Sequence, residues 1–476
     1  MYDGGVPPAL PVPLALAGAA LPPTMIRERR ALRARLAGIA CAGAFAACAT
    51  GQPLGVATWN VGWLMDEAVH ARWAAACARN GWPRDISTLS AAERAELAPL
   101  PFCDAHNGMR FPPERCRAAR DGWPYATRYP SDHPCRDTAD LAAWDAYARK
   151  VAALRATFRR LEEQGVGLVA LQEVFDAPAA RAILPSGWSV ATTRELPGTP
   201  AIAQHVGIAW RRDVRVRDVA AVNTLADGGV PGRPLRPGLA FTVDVGGRPV
   251  RALAIHQKAG CRSRDLAAPL GPADAKLPPE RQDAIASDCA MLRYQLPALE
   301  AWIDAHAHRD FAVLGDFNRT LLHEPVADSA TYRTRVDGSA PQDPVGPCAM
   351  ARAGERWVAE CGARTRAIFP ELNDGHPGGA VVWRARFADQ SKGGAIRKGS
   401  SGDCSVAGAR GDLTHDGIDH VLVSESLKRR LEPSALTMRV ENYRDAAGAP
   451  LRADPALAMP SDHCPHVVVW TPKRRP

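Results

Sequence analysis

The chain is punctuated by short apolar runs, several of which stop at a polar residue. They cover residues 56–61, 167–172, 206–210, 239–245, 250–256, 311–315, 418–423 and 466–470. Runs of five to seven residues are too short for core helices and suit strands buried on both faces. Between them lie two helical patterns. Residues 142–164 place Trp144, Ala148, Val151, Leu154, Phe158 and Leu161 at three-to-four spacing, and 283–304 reads as a second long helix. Strands that alternate with helices, together with strands that follow one another directly, predict a layered α/β domain with mixed sheets.

The stretch from about 75 to 138 breaks this rhythm. It carries four cysteines and many Trp, Pro, Arg and Asp residues, and reads as an inserted, disulfide-tied loop region without a core of its own. At 476 residues and 46% hydrophobic, the chain has room for one large domain or two, and its 41 prolines and 40 glycines point to long ordered loops. A net charge of +8 suits either contact with a polyanion or simple solubility.

The first 49 residues read as a signal peptide with an N-terminal extension. Arg27, Arg29, Arg30, Arg33 and Arg35 precede a small apolar stretch, 36–49, that closes on Ala47-Cys48-Ala49. Met25 offers an alternative start. Cys48 is the alternative lipid-anchor site, with Phe45-Ala46-Ala47 a poor lead-in to it. No later window is long and apolar enough to span a bilayer, so the expected product is a secreted or periplasmic protein. Ten cysteines follow Ala49, without C-x-x-C pairs, which favours disulfides over zinc. Cys261 with Cys289 and Cys348 with Cys361 are the expected bridges, since each pair encloses a short polar loop.

Six segments place polar residues where apolar runs end, which is where α/β folds collect their active sites: Trp59-Asn60, Gln172-Glu173, Ile255-His256-Gln257-Lys258, Gly315-Asp316-Phe317-Asn318, Ile418-Asp419-His420 and Ser461-Asp462-His463. Singly, each is more often a turn former or a cap. Together they supply what hydrolysis of a phosphate ester requires. Glu173 is a hard oxygen ligand suited to magnesium. Asp316 can take a proton from water, while Asn318 can donate to a phosphoryl oxygen. His463 can carry positive charge against the phosphate. Competing readings leave Asn60 as a strand-end cap, Asp419 as a surface charge and Lys258 as either a phosphate contact or a solvated cation. His420, Trp59 and Trp210 read as structural or core residues.

In that order, the segments resemble the endonuclease/exonuclease/phosphatase superfamily, the group of deoxyribonuclease I, over about residues 55–472 apart from the insertion. The resemblance implies a four-layer α/β sandwich, two mixed sheets face to face with helices outside, occupying 50–476. It implies Mg2+, with Mn2+ or Ca2+ as alternatives, near Glu173, Asn60 and Asp462. It further implies that Asp316 activates water and that Asn318 binds the scissile phosphate. Asp419 would orient His463 against the phosphate, and His256 would bind phosphate or protonate the leaving group. One departure is Gly62, which stands where some relatives place an acidic residue, so the metal has one carboxylate fewer.

The run His256-Gln257-Lys258-Ala259-Gly260-Cys261 resembles a segment of bacterial extracellular nucleases, and with the basic balance and export it favours a monomeric nuclease acting on nucleic acid. A secreted sphingomyelinase-type enzyme and an inactive binding protein are the alternatives. Mass spectrometry of the unreduced, digested protein is expected to find disulfide-linked peptides; ten free thiols would contradict export.

Overall fold

The computed structural model describes residues 52–80, 90–92, 99–100, 144–262, 264–321, 324, 348–354, 356–360, 367–373, 379–387, 418–441, 443, 461 and 463–473. In chain order the strands are β1 (Leu54–Leu64), β2 (Val166–Val174), β3 (Trp188–Thr192), β4 (His205–Arg211), β5 (Val216–Val222), β6 (Gly238–Val245), β7 (Arg248–His256), β8 (Phe311–Asp316), β9 (Ala349–Ala353), β10 (Arg356–Glu360), β11 (Val382–Arg384), β12 (Arg386–Phe387), β13 (Asp419–Ser424), β14 (Thr437–Val440) and β15 (His466–Trp470). The helices are α1 (Glu67–Asn80), α2 (Trp144–Glu163), α3 (Ala177–Arg181), α4 (Pro279–Asp304), α5 (Ile368–Leu372) and α6 (Glu425–Arg430).

Seven strands form one sheet in the order β12-β14-β15-β1-β2-β4-β3, and six form another in the order β11-β13-β8-β7-β6-β5. Both are mixed. In the first sheet β1 runs parallel to β2 and antiparallel to β15. In the second, β8 runs parallel to β7 and antiparallel to β13. Every apolar run named above is a strand, and the most apolar of them hold the central positions.

Three large apolar clusters define four layers. Val56, Leu168 and Ile208 of the first sheet pack with Phe241, Ala252 and Leu314 of the second, so the sheets lie face to face. On the outer side of the first sheet, Trp59 and Val169 pack against Tyr147, Leu154 and Phe158 of α2. On the outer side of the second, Leu253 and Val313 pack against Leu292 and Leu296 of α4. This is the expected four-layer sandwich. Among the described residues, no helix is long and apolar enough to cross a membrane.

One expectation needs correction. Helix α1 runs to Asn80, so the opening of the 75–138 stretch continues a helix instead of starting a loop. Leu100 is also buried in the helix-side core of the first sheet, tying the stretch to the main domain. Cys103, Cys116 and Cys135 lie outside the described residues. The edge strand β5 and the peripheral β3 are half exposed, and their mixed polar and apolar sequences carry no buried run to betray them.

Period-two alternation delivers the site. Along β7 the inward series is Val250, Ala252, Ala254, and the next member is His256; along β8 it is Ala312, Leu314, then Asp316. Read toward its start, β13 gives Val423, Val421, Asp419, and β1 gives Leu54, Val56, Thr58, Asn60. Thus the last inward position on four strands is polar.

Close pairing of β7 and β8 demands Gly315. It adopts φ 153°, and a Cβ there would lie 2.1 Å from the Ile255 carbonyl oxygen. Gly315→Ala is expected to destabilise the fold by roughly 2–5 kcal/mol through overpacking and backbone strain, measured by denaturant unfolding; an unchanged midpoint would contradict this reading.

Candidate active site

Asp316 is the centre of the polar cluster. Its Oδ2 accepts a hydrogen bond from Asn60 Nδ2 at 3.0 Å and lies 3.5 Å from His256 Nε2 and 3.8 Å from His463 Nε2. Its Oδ1 accepts the Asn318 backbone N–H at 2.7 Å. Strand register explains the convergence, because Asp316 pairs with His256 on one side and Asp419 on the other. The carboxylate is almost wholly buried.

Glu173 arrives by a different route. Strand parity would send it to the helix-covered face with Val169 and Leu171, but β2 breaks register between Leu171 and Val174 and Glu173 takes φ 60°. The left-handed backbone turns its carboxylate toward β1, where Asn60 Nδ2 donates to Oε1 at 3.2 Å and the Trp63 N–H donates to Oε2 at 3.1 Å. Trp63 (φ 50°) and Asn318 (φ 51°) are also left-handed. Such conformations cost of order 1–3 kcal/mol each and gather where a site over-determines the backbone.

Asp419 and His463 form a tight pair, Oδ2 to Nδ1 at 2.6 Å. The histidine is held from behind as well: its N–H donates to Ser461 Oγ, Ser461 Oγ donates to the Asn60 carbonyl, and Tyr443 donates to the His463 carbonyl. Trp59 Nε1 donates in turn to Tyr443, so this core tryptophan braces the segment that carries His463. Asp316, Asp419 and His463 could bring three donor atoms within 4.8 Å of one another. Two of the three are already committed to each other, which makes the trio a proton-holding network more than a cation cage.

A hard divalent ion fits the other side. Glu173 is an oxygen donor of the kind magnesium prefers, and its side chain is 16% exposed against 1% for Asp316, whereas Asn60 turns Nδ2 toward the two carboxylates and its Oδ1 accepts the Gly62 N–H at 3.0 Å. Asp462, expected beside the metal, lies outside the described residues. Lys258, a candidate phosphate contact, is held elsewhere: its ammonium pairs with Asp288 on α4 at 2.5 Å and donates to the Ala259 carbonyl. His420 faces away from the site, where its Nε2 meets the Arg319 carbonyl and the Leu321 N–H, so it is structural. Cys261 and Cys289 form a disulfide with the sulfurs 1.98 Å apart, tying the segment after His256 to α4. Cys348 and Cys464 are disulfide-bonded too, while Cys361 lies outside the described residues.

No motif marks Arg236, Lys150 or His466, yet all three border the cluster. Lys150 donates to the Gly62 carbonyl from α2. His466 places Nδ1 3.9 Å from Asp419 Oδ2. Arg236 donates to the carbonyls of His256 and Gln257. Contacts made through backbone atoms and across sheets leave no local signature in a sequence.

A family model described as "Endonuclease/Exonuclease/phosphatase family" matches residues 57–463. The chain belongs to that family. Its members are hydrolases of phosphate esters that generally use divalent metals. Solved structures matched to the chain include an endonuclease/exonuclease/phosphatase family protein from Bacteroides thetaiotaomicron at 12% identity, covering 88% of this chain and 96% of that one with a TM-score of 0.35. Another is a Neisseria 3′ phosphatase bound to a product DNA hairpin, at 18% identity, 67% and 94% coverage and a TM-score of 0.35. The human Nocturnin catalytic domain with bound sulfate matches at 13% identity, 68% and 87% coverage and a TM-score of 0.33. No curated protein sequence matches the chain significantly.

Electrostatics separate the two central groups. Burial drives Asp316 up from its ordinary 3.8 to about 7, helped by the charge of Asp419 and opposed by His463, Asn60 and Asn318. Burial, with the charges of Arg236, His463 and Lys258, holds His256 well below the usual histidine range, so it is neutral. Because the folded protein holds the Asp316 proton more tightly than the unfolded chain, this group favours folding at acid pH, and that contribution is lost as pH climbs through about 7. Hydrolysis that needs the ionised carboxylate should follow the opposite course. The rate is expected to rise with pH through about 7, checked by a kcat/KM profile; a rate that falls over pH 6–8 would exclude Asp316 as the base.

Proposed function

We propose that the protein is a secreted, divalent-metal-dependent phosphodiesterase, a nuclease that hydrolyses DNA or RNA with weak sequence preference. The observation that carries this is the single oxygen Asp316 Oδ2, met by Asn60 from one sheet and His256 from the other, with His463 close by. In this reading a proton acceptor lies between a metal-ligating side at Glu173 and a phosphate-facing side at His463.

Asp316 takes the proton of the attacking water at Oδ2, with Asn60 and the Asn318 N–H fixing the carboxylate. His463, its Nδ1 held by Asp419, presents Nε2 to the phosphate. Asn318 Nδ2 uses one N–H on the Gln257 carbonyl, leaving its second for a phosphoryl oxygen. His256 is neutral, so it serves as a hydrogen-bond donor and not as a standing source of a proton. Glu173, its Oε1 fixed by Asn60 Nδ2, would hold the divalent ion, which would supply Lewis-acid polarisation of the phosphate and a more acidic water.

Nucleic acid is favoured by the net charge of +8, since a basic surface gains affinity from a phosphate backbone by releasing counterions. Export is favoured by the disulfides at Cys261–Cys289, Cys348 and Cys464. Incubation with plasmid, linear DNA and RNA is expected to give cleavage that requires Mg2+ or Mn2+, stops with chelator and weakens as salt rises. His463→Ala should lower the rate by roughly 10³-fold while the protein still folds, which thermal melting checks. No cleavage under any metal would refute the nuclease reading, and phosphocholine release from sphingomyelin liposomes instead would place the enzyme on the lipid side of its family.

A further inference from the structure

Arg236 lies two residues before β6 and belongs to none of the six segments, yet each of its guanidinium nitrogens is committed to the margin of the active site. Nε donates to the His256 carbonyl at 3.1 Å, Nη2 donates to the Gln257 carbonyl, and Nη1 donates to Gln204 Oε1 at 3.1 Å. The first acceptor, His256, ends β7 in the second sheet, and the second, Gln257, follows it. The third precedes β4 in the first sheet, where the next residue, His205, pairs with Val174, the neighbour of Glu173.

One planar group therefore spans the two sheets beside the point where Glu173 Oε1 faces His256 Nε2 across 3.9 Å. Its reach extends to a second active residue. The Gln257 carbonyl that accepts from Arg236 also accepts from Asn318 Nδ2 at 2.9 Å, and the Gln257 N–H donates to the Asp316 carbonyl at 2.9 Å. Burial makes the guanidinium harder to keep charged, whereas the charges of Glu173 and Asp316 favour it, so Arg236 also offsets the two carboxylates.

We propose that Arg236 is a positioning residue for the hydrolytic reaction: by bonding Gln204 on one sheet and the His256–Gln257 turn on the other, it sets the gap between Glu173 and His256 and aims Asn318. This rests on the hydrolase reading above. Lysine cannot take its place, because a point charge on a flexible stem cannot hold three acceptors in a fixed fork. A misplacement of about 1 Å in such a gap can cost on the order of 10²-fold in rate.

The test compares the wild-type enzyme with Arg236→Ala and Arg236→Lys, using both nucleic acid and bis(p-nitrophenyl) phosphate with Mn2+. Both variants are expected to lose roughly 10²-fold in kcat with KM changed little. Millimolar guanidinium chloride should restore part of the rate of Arg236→Ala and leave Arg236→Lys unchanged. A rise in KM at constant kcat would make Arg236 a direct substrate ligand and overturn the proposal. A loss that guanidinium does not relieve and that tracks a fall in melting temperature would make it merely structural, which overturns it equally. Wild-type hydrolysis of the small diester without cleavage of nucleic acid would sink the nuclease reading alone, with Arg236 still decided on the small diester. Wild-type inactivity on both substrates would remove the hydrolase reading and this proposal together.

Discussion

The bond from Asn60 to Asp316 joins the two sheets where their apolar interior gives way to chemistry. Behind it, Val56, Leu168, Ala252 and Leu314 exclude water; ahead of it lie the polar side chains of His256, Asp419 and His463. A carboxylate placed at that boundary is desolvated, so it binds its proton more tightly than a surface aspartate would. The hydrophobic core thus sets the acidity of the group most exposed to its influence, and the polar ring around Asp316 limits how far that effect goes.

Much of this was readable from residues alone. The core strands announce themselves as unbroken apolar runs because both faces are covered, and on β1, β7, β8 and β13 the polar residue at one end is the next member of the inward-facing series. Asp316, Asp419, His256 and Asn60 all follow that logic. Glu173 does not: alternation puts it on the wrong face, and only the φ 60° backbone and the broken register of β2 return it to the site. Its place as a carboxylate at the end of an apolar run found it where alternation could not.

What stayed hidden has a common cause. Edge strands such as β5 bury only part of their side chains and so carry no apolar signature. Arg236 acts on carbonyl groups, which every residue possesses, so nothing in the sequence of its acceptors calls for an arginine. Lys258 shows the converse case. A lysine two residues from His256 invites a phosphate role, but Asp288, on a helix some thirty residues away in sequence, holds its ammonium. A charged side chain of that length goes to whichever opposite charge the fold brings within reach.

The alternation along β7 also bears on how such a chain can change over time. Substituting a residue in the run 250–256 alters one position, whereas inserting or deleting one would rotate every later side chain by half a turn and carry His256 from the cleft to the face under α4. The strands that end in active residues are therefore locked in length, and diversity of length is left to the connections between them. A fold organised this way can acquire new surface loops, and with them new substrates, while its chemical centre keeps the same count of residues from the core outward.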